Sequence, residues 1–249
     1  MSILSFLIYH IKIRLEFGPA KMYFAGTPYQ QWKQSWAFGA NLIFIELNVR
    51  LPLLLIEWIL NSKSVGIYGI IQRLESIIEI VMINFVKIAF PTFSRYFSEE
   101  EKFNQSWKWP WLMTLVMLIL SIMGAVIISI FAEKIVTLFI GETSKIAIQL
   151  LVITVWAKAI SLTKRPLYVA LLAWGKERLM SAVNFLMVIV TLLGNLTLLS
   201  AIGLIGAAFT YLGSEIIAIS IIIVISFHLT KIYNNIKIKN TKIIQKLRS

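Results

Sequence analysis

Charged side chains occur inside stretches of this sequence that are otherwise apolar. In segment 47–60, LNVRLPLLLIEWIL, Arg50 lies about midway through an apolar run. On a helix, Glu46, Arg50 and Glu57 fall within about 40° of one another, so Arg50 is expected to pair with Glu46 one turn away. An arginine left unpaired in hydrocarbon costs at least about 3 kcal/mol on insertion scales. The spacing therefore predicts a paired arginine that faces a polar interior, although a pair that only locks two helices together remains an alternative.

A longer polar stripe runs through the next apolar segment, 65–90. At helical spacing, Arg73, Asn84 and Lys87 lie within about 60° of one another. The same side continues with Gln72, Glu75, Ser76 and Glu79. Such a helix lines a wet cavity or lies flat at a membrane interface, and its length favours a membrane crossing and hence the cavity.

Two further segments repeat this pattern. Thr154, Lys158, Ser161 and Arg165 form one stripe about 60° wide, and Pro166 beside it is expected to kink the helix. A milder stripe follows at Asn184, Thr191 and Asn195. Polar stripes on several apolar helices predict a bundle with an inner lumen.

The chemistry expected of that lumen is the binding of an anion. The cations predicted to converge on it are Arg50, Arg73, Lys87, Lys158 and Arg165. The acids predicted to pair with them, or to take part in coupling to H⁺ or Na⁺, are Glu46, Glu57, Glu75 and Glu79. Which ion is coupled stays open.

The composition is that of an integral membrane protein. The 249 residues are 58% hydrophobic and 14% charged, with a mean hydropathy of +0.80, which excludes an ordinary soluble domain. The net charge of +12 indicates cationic cytoplasmic loops rather than a nucleic-acid partner. Cysteine is absent, which excludes disulfides and thiolate metal sites.

A span needs about 20 apolar residues, and this criterion predicts six membrane helices. They are 36–60, 65–90, 109–131, 146–174, 179–200 and 204–229. The expected organisation is therefore a cytoplasmic loop with the end of a truncated helix at 1–35, a six-span bundle at 36–229 and a basic tail at 230–249. The first residues, MSILSFLIYHIKIRLEF, place positive charge after the apolar stretch, which is the reverse of a signal peptide.

The basic residues also predict the orientation. With the N-terminal segment inside, fifteen basic loop and tail residues lie on the cytoplasmic side, and only Lys63, Lys134 and Lys145 lie outside. Both ends are therefore expected in the cytoplasm.

No enzyme signature is present. The chain has no aspartate, its two histidines, His10 and His228, lie near opposite ends, and the glycines of AIGLIGAA are explained by close packing between spans. The sequence predicts a protein that is not an enzyme and has no cofactor or metal.

Several motifs resemble the polysaccharide transporters, which are lipid-linked oligosaccharide flippases of the multidrug/oligosaccharidyl-lipid/polysaccharide superfamily. The motifs occur in family order as SVGIYGIIQRLESI, AFPTFSRYF, LFIGE, ALLAWGKER and GNLTLLSAIGLIGAAFTYLGSE. The resemblance covers about residues 36–229 and only the C-terminal bundle of a family whose members have twelve to fourteen spans. One departure is Pro52, which stands where a family R-x-D pattern beginning at Arg50 has aspartate.

The resemblance implies an all-α, MATE-like six-span bundle in the bacterial cytoplasmic membrane. It implies the flipping of an isoprenoid-pyrophosphate-linked oligosaccharide for surface polysaccharide assembly, by alternating access. The first bundle would come from an N-terminal half-transporter or from a second copy of the chain. A multidrug exporter of the same superfamily and a scaffold or non-functional fragment are the alternatives.

Overall fold

The computed structural model describes residues 28–98, 107–141 and 144–248, and every regular element in these ranges is an α-helix. The helices are α1 (Pro28–Ile59), α2 (Ser62–Ser98), α3 (Lys108–Ile130), α4 (Ala132–Ile140), α5 (Lys145–Ala173), α6 (Glu177–Ile202) and α7 (Leu204–Arg248). By contacts the chain divides into two units, residues 1–37 and 38–249. The larger unit holds everything described below. The expected truncated helix near the N-terminus lies outside the described residues.

Each of the six expected spans coincides with a helix, but α4 was not expected. The sequence interpretation assigned this segment to a loop, and that was wrong. The buried side chains of Ala132 and Val136 pack α4 against the bundle, and Gly141 ends it in the left-handed region at φ 84°. Pro166 does not end α5, which continues as one helix from Lys145 to Ala173.

Four helices are long and apolar enough to cross a membrane. They are α3, α5, α6 and the part of α7 from Leu204 to Lys231, among the residues that the structure describes. α1 and α2 are longer than a membrane thickness requires but carry the charged stripes seen in the sequence. The fold is therefore an all-helical bundle with four candidate membrane spans.

α5 is the central helix of the bundle. It packs against α2, α3, α4, α6 and α7, and its side chains Leu150, Leu151, Leu167 and Leu171 are fully buried. α3 packs on it from outside, where the hydroxyls of Ser121 and Thr163 lie 3.1 Å apart. Because α5 is enclosed by its neighbours, its polar stripe faces the interior of the protein.

α6 and α7 meet closely at Gly206. A Cβ atom there would collide with the backbone carbonyl of Leu198, so this position requires glycine. Gly203 makes the turn between the two helices with φ 64°. The expected close packing is thus present at Gly206, whereas Gly203 serves the backbone conformation.

Candidate binding cavity

A cavity of about 780 Å³ lies between α1, α2, α5, α6 and α7. Its size is within the range of sites for small ligands and cofactors, roughly 300–1,000 Å³. The side chains that give it charge are Arg73, Glu75, Glu79, Lys158, Lys164, Arg165 and Glu215. Four basic and three acidic groups therefore share one enclosure.

Glu79 is the centre of an ion-pair network that joins α2 to α5. Its Oε2 lies 2.8 Å from the Nζ of Lys158, and its Oε1 lies 2.7 Å from an Nη atom of Arg165. The side chain of Lys158 is only 9% exposed, so its charge depends on this carboxylate. One glutamate on α2 thus pairs with two cations that lie seven residues apart on α5, and the cluster of three keeps one net positive charge.

A second ion pair joins α5 to α7, between Lys164 and Glu215. Both side chains are mostly buried. With Lys158 and Arg165 bound to Glu79, three of the four cavity cations have a carboxylate partner on another helix. Arg73 is exposed and makes no ion pair within the described part of the chain, so it is the cavity cation left to meet an external anion.

Glu75 lies one turn before Glu79 on the same face of α2. It is buried, and its Oε1 has no hydrogen-bond partner among the described residues. A buried oxygen without a hydrogen-bond partner is costly, so Oε1 of Glu75 is open to a donor from a molecule bound in the cavity.

The wall formed by α1, α6 and α7 is of mixed polarity. Its apolar part is formed by Ile45, Val49, Pro52, Leu53, Val183, Met187, Ala218 and Ile222, and its polar part by Asn48, Asn184, Thr191, Asn195, Ser214 and Glu215. The charged groups on α2 and α5 therefore face both apolar and polar side chains. Such a cavity suits a molecule with a charged part and an apolar part.

Side-chain amides fasten α1 over the cavity. Asn41 donates to the hydroxyl of Tyr168 (2.7 Å), and Asn184 donates to the Oδ1 of Asn41 (2.6 Å). One turn or more further along, Asn48 accepts a hydrogen bond from Thr191 (3.0 Å). Asn48 also donates to the Asn184 carbonyl (3.3 Å), and Gln72 of α2 donates to the Val49 carbonyl (3.2 Å). The backbone of α1 otherwise makes little close contact with the other described helices.

Of the residues predicted for the site, five line this cavity: Arg73, Glu75, Glu79, Lys158 and Arg165. The other four do not: Glu46, Arg50, Glu57 and Lys87 are all exposed. The expected pair of Arg50 and Glu46 is present, with Nε and Oε2 2.9 Å apart, but its side chains are 73% and 64% exposed.

The expectation that Arg50 shares this lumen with the other cations is corrected by the helix geometry. The cavity side of α1 is formed by Ile45, Val49 and Pro52, and the charged stripe lies about 90–130° around the helix from it. Lys87 lies eight residues beyond Glu79, the last lining residue of α2, which is about 12 Å along the helix.

Sequence analysis missed the groups that act through partners on distant helices. Asn41 and Tyr168 are separated by 127 positions, and each is a single polar residue in an apolar stretch. The pairing of Lys164 with Glu215 also has no local sequence pattern, because the two residues lie on different helices. The one usable signal was an unpaired polar residue inside an apolar run.

The described helices form a bundle around a cavity lined by charged, polar and apolar side chains, and four of them are long and apolar enough to cross a membrane. No family model, curated protein or solved structure matches this chain.

Proposed function

We propose that the chain is one bundle of a transporter that flips an isoprenoid-pyrophosphate-linked oligosaccharide across the bacterial cytoplasmic membrane. The observation that carries the proposal is Arg73, an arginine at a cavity between apolar helices that has no ion-pair partner among the described residues. Guanidinium groups bind phosphate oxygens through two parallel hydrogen bonds, which suits a pyrophosphate.

In this proposal α1 and α2 complete a six-span bundle with both ends in the cytoplasm. Their charged stripes are compatible with a membrane because one stripe lines the cavity and the pairs along them neutralise charge. The bundle is MATE-like in the sense that the sequence motifs resemble that superfamily, and its second wall is supplied by another bundle.

The other walls suit the remainder of such a substrate. Of the amides that line the cavity, Gln72 and Asn184 use their NH2 groups in hydrogen bonds within the protein, and their side-chain oxygens remain as acceptors for sugar hydroxyls. The apolar part of the wall formed by α1, α6 and α7 accepts the first isoprenoid units, and the rest of the lipid stays in the bilayer. An excess of one positive charge among the cavity residues favours an anion over the organic cations of a drug exporter.

Replacing Arg73 by alanine tests this proposal. The chain is expressed in a strain that lacks its own surface-polysaccharide flippase, alone and together with its upstream coding sequence, and polymer at the cell surface is measured. We expect R73A to lower polymer export at least about tenfold, because the loss of a charge-assisted contact to phosphate exceeds about 1.4 kcal/mol. R73K is expected to retain partial export.

The matched control is Arg178→Ala, which removes an exposed positive charge away from the cavity. Equal export by R73A and R178A contradicts the role of Arg73. If neither the chain alone nor the chain with its upstream sequence restores polymer, the transport proposal fails and a scaffold or non-functional fragment takes its place.

A further inference from the structure

Lys63, Lys87 and Arg95 of α2 are exposed, as are the apolar Leu47, Leu54 and Trp58 of α1. Four further exposed residues of the two helices are charged, Glu46, Arg50, Glu57 and Arg73. We refer to these four residues as the α1/α2 charged surface. It differs from the outward side of α3, where the exposed side chains are apolar, among them Leu115, Ile119, Met123 and Ile127. The two sides therefore need different neighbours.

The α1/α2 charged surface lies deep along its helices. Arg50 is ten residues from Leu60, about 15 Å along a helix, which is beyond the reach of its side chain. Gln72 donates to the Val49 carbonyl, so the next residues on the two helices, Arg73 and Arg50, lie at a similar height. In the six-span bundle of the proposed function, this surface would lie at membrane depth, where lipid is an unsuitable neighbour and a polar partner is required.

Along α1 the surface alternates in sign, from Glu46 to Arg50 to Glu57. An identical surface can therefore present an acid to Arg50 and a base to Glu46. The Arg50–Glu46 pair uses only Nε of the guanidinium and Oε2 of the carboxylate. The terminal nitrogens of Arg50 and the second oxygen of Glu46 remain available to a second pair.

We propose that the α1/α2 charged surface binds the same surface of a second copy of this chain. Across a two-fold axis, Arg50 of each copy meets Glu46 of the other and forms a network of four charges. Both copies have the same orientation in the membrane, so the facing α1 helices run parallel. The two residues are four positions apart, about 6 Å along a helix, a distance that an arginine side chain spans.

The second copy also completes the cavity. Arg73 belongs both to the α1/α2 charged surface and to the cavity lining, so the open side of the cavity lies next to the proposed interface. This inference rests on the proposed function for the membrane depth of the surface. It adds that the second wall of the cavity comes from an identical bundle.

Charge reversal at two positions tests the interface. In R50E, positions 46 and 50 are both acidic, and in E46R both are basic. The full chain is purified in mild detergent and in lipid nanodiscs, and its mass is measured by light scattering and native mass spectrometry. We expect the wild type to be a dimer, each single variant to dissociate at least tenfold more readily, and the double variant E46R/R50E to dimerise like the wild type.

Mixing the two single variants gives the sharpest readout, because an all-acidic surface and an all-basic surface should form a heterodimer. Lys134→Glu, a charge reversal on the exposed side of α4, is the control and should leave the dimer unchanged. Circular dichroism confirms that each variant is helical. Any one of three results overturns the proposal: the wild type is a monomer, a single variant dimerises normally, or the two single variants fail to pair when mixed. A dimer that restores no polymer export leaves the interface standing and counts against the transport function.

Discussion

Two glutamate–cation pairs in this protein have the same chemistry in different surroundings. The pair of Glu46 and Arg50 is mostly exposed, whereas Glu79 binds two cations of which one, Lys158, is nearly buried. Exposed pairs contribute about 0–1 kcal/mol, while removing one partner of a buried pair leaves a charge without compensation. The stability of the cavity wall therefore depends on Glu79 rather than on Glu46.

Glu79→Gln should destabilise the bundle. Lys158 and Arg165 lose their common counter-charge, and because Glu79 is about one-third exposed we expect a loss of about 2 kcal/mol, below the range for fully buried pairs. Thermal unfolding in detergent measures the change. Glu133→Gln, at an exposed residue of α4, is the matched control and should stay within about 0.5 kcal/mol of the wild type. Equal midpoints for the two variants contradict the network's role in stability.

The cavity residues that were predictable from sequence are those that share a face of one helix. Glu75 and Glu79 on α2 recur at helical spacing, as do Lys158 and Arg165 on α5, and Arg73 lies at the edge of the polar half of α2; all of them line the cavity. Arg50 was predicted to join them because a charge at that depth needs a polar neighbour. The sequence could not reveal which side of α1 turns toward the cavity, since Ile45, Val49 and Pro52 form that side with apolar contacts.

For the helices, apolar runs and turn residues predicted the positions of the long elements, and only the short helix α4 was not predicted. α4 is nine residues long, less than the length needed to show a membrane span, and its neighbours in sequence look like a loop. The packing order of the helices was not predictable, because it depends on side chains far apart in sequence. The attachment of α1 is an example, since it relies on amides of Asn41 and Asn48 that meet α5 and α6.

Asn184→Ala should loosen α1. The substitution removes the hydrogen bonds from the Asn184 amide to Asn41 and Tyr168, which have lengths of 2.6 and 3.2 Å, and leaves only the bonds that Asn41 and Tyr168 make with each other. The C-terminal part of α1 is also held by the buried side chains of Leu55 and Ile56, so we expect the faster hydrogen exchange in residues 38–50 and little change in α5. Asn84→Ala is the control, because Asn84 is exposed and makes no side-chain hydrogen bond within the described residues. Unchanged exchange in α1 of N184A contradicts the attachment.

At the scale of the whole molecule, the orientation in the membrane is testable because the chain has no cysteine. Single cysteines placed at Lys63, Glu133 and Arg178 are the only thiols in each variant, and the three positions are exposed in loops or helix ends. The excess of basic residues on one side predicts that positions 63 and 133 face outward and position 178 faces the cytoplasm. A maleimide that cannot cross membranes should label the first two in intact cells and the third only after permeabilisation.

Labelling of positions 63 and 133 on opposite sides contradicts the six-span bundle, because α2 and α3 must return the chain to the same side. Labelling of all three in intact cells contradicts the crossing of the membrane by α5.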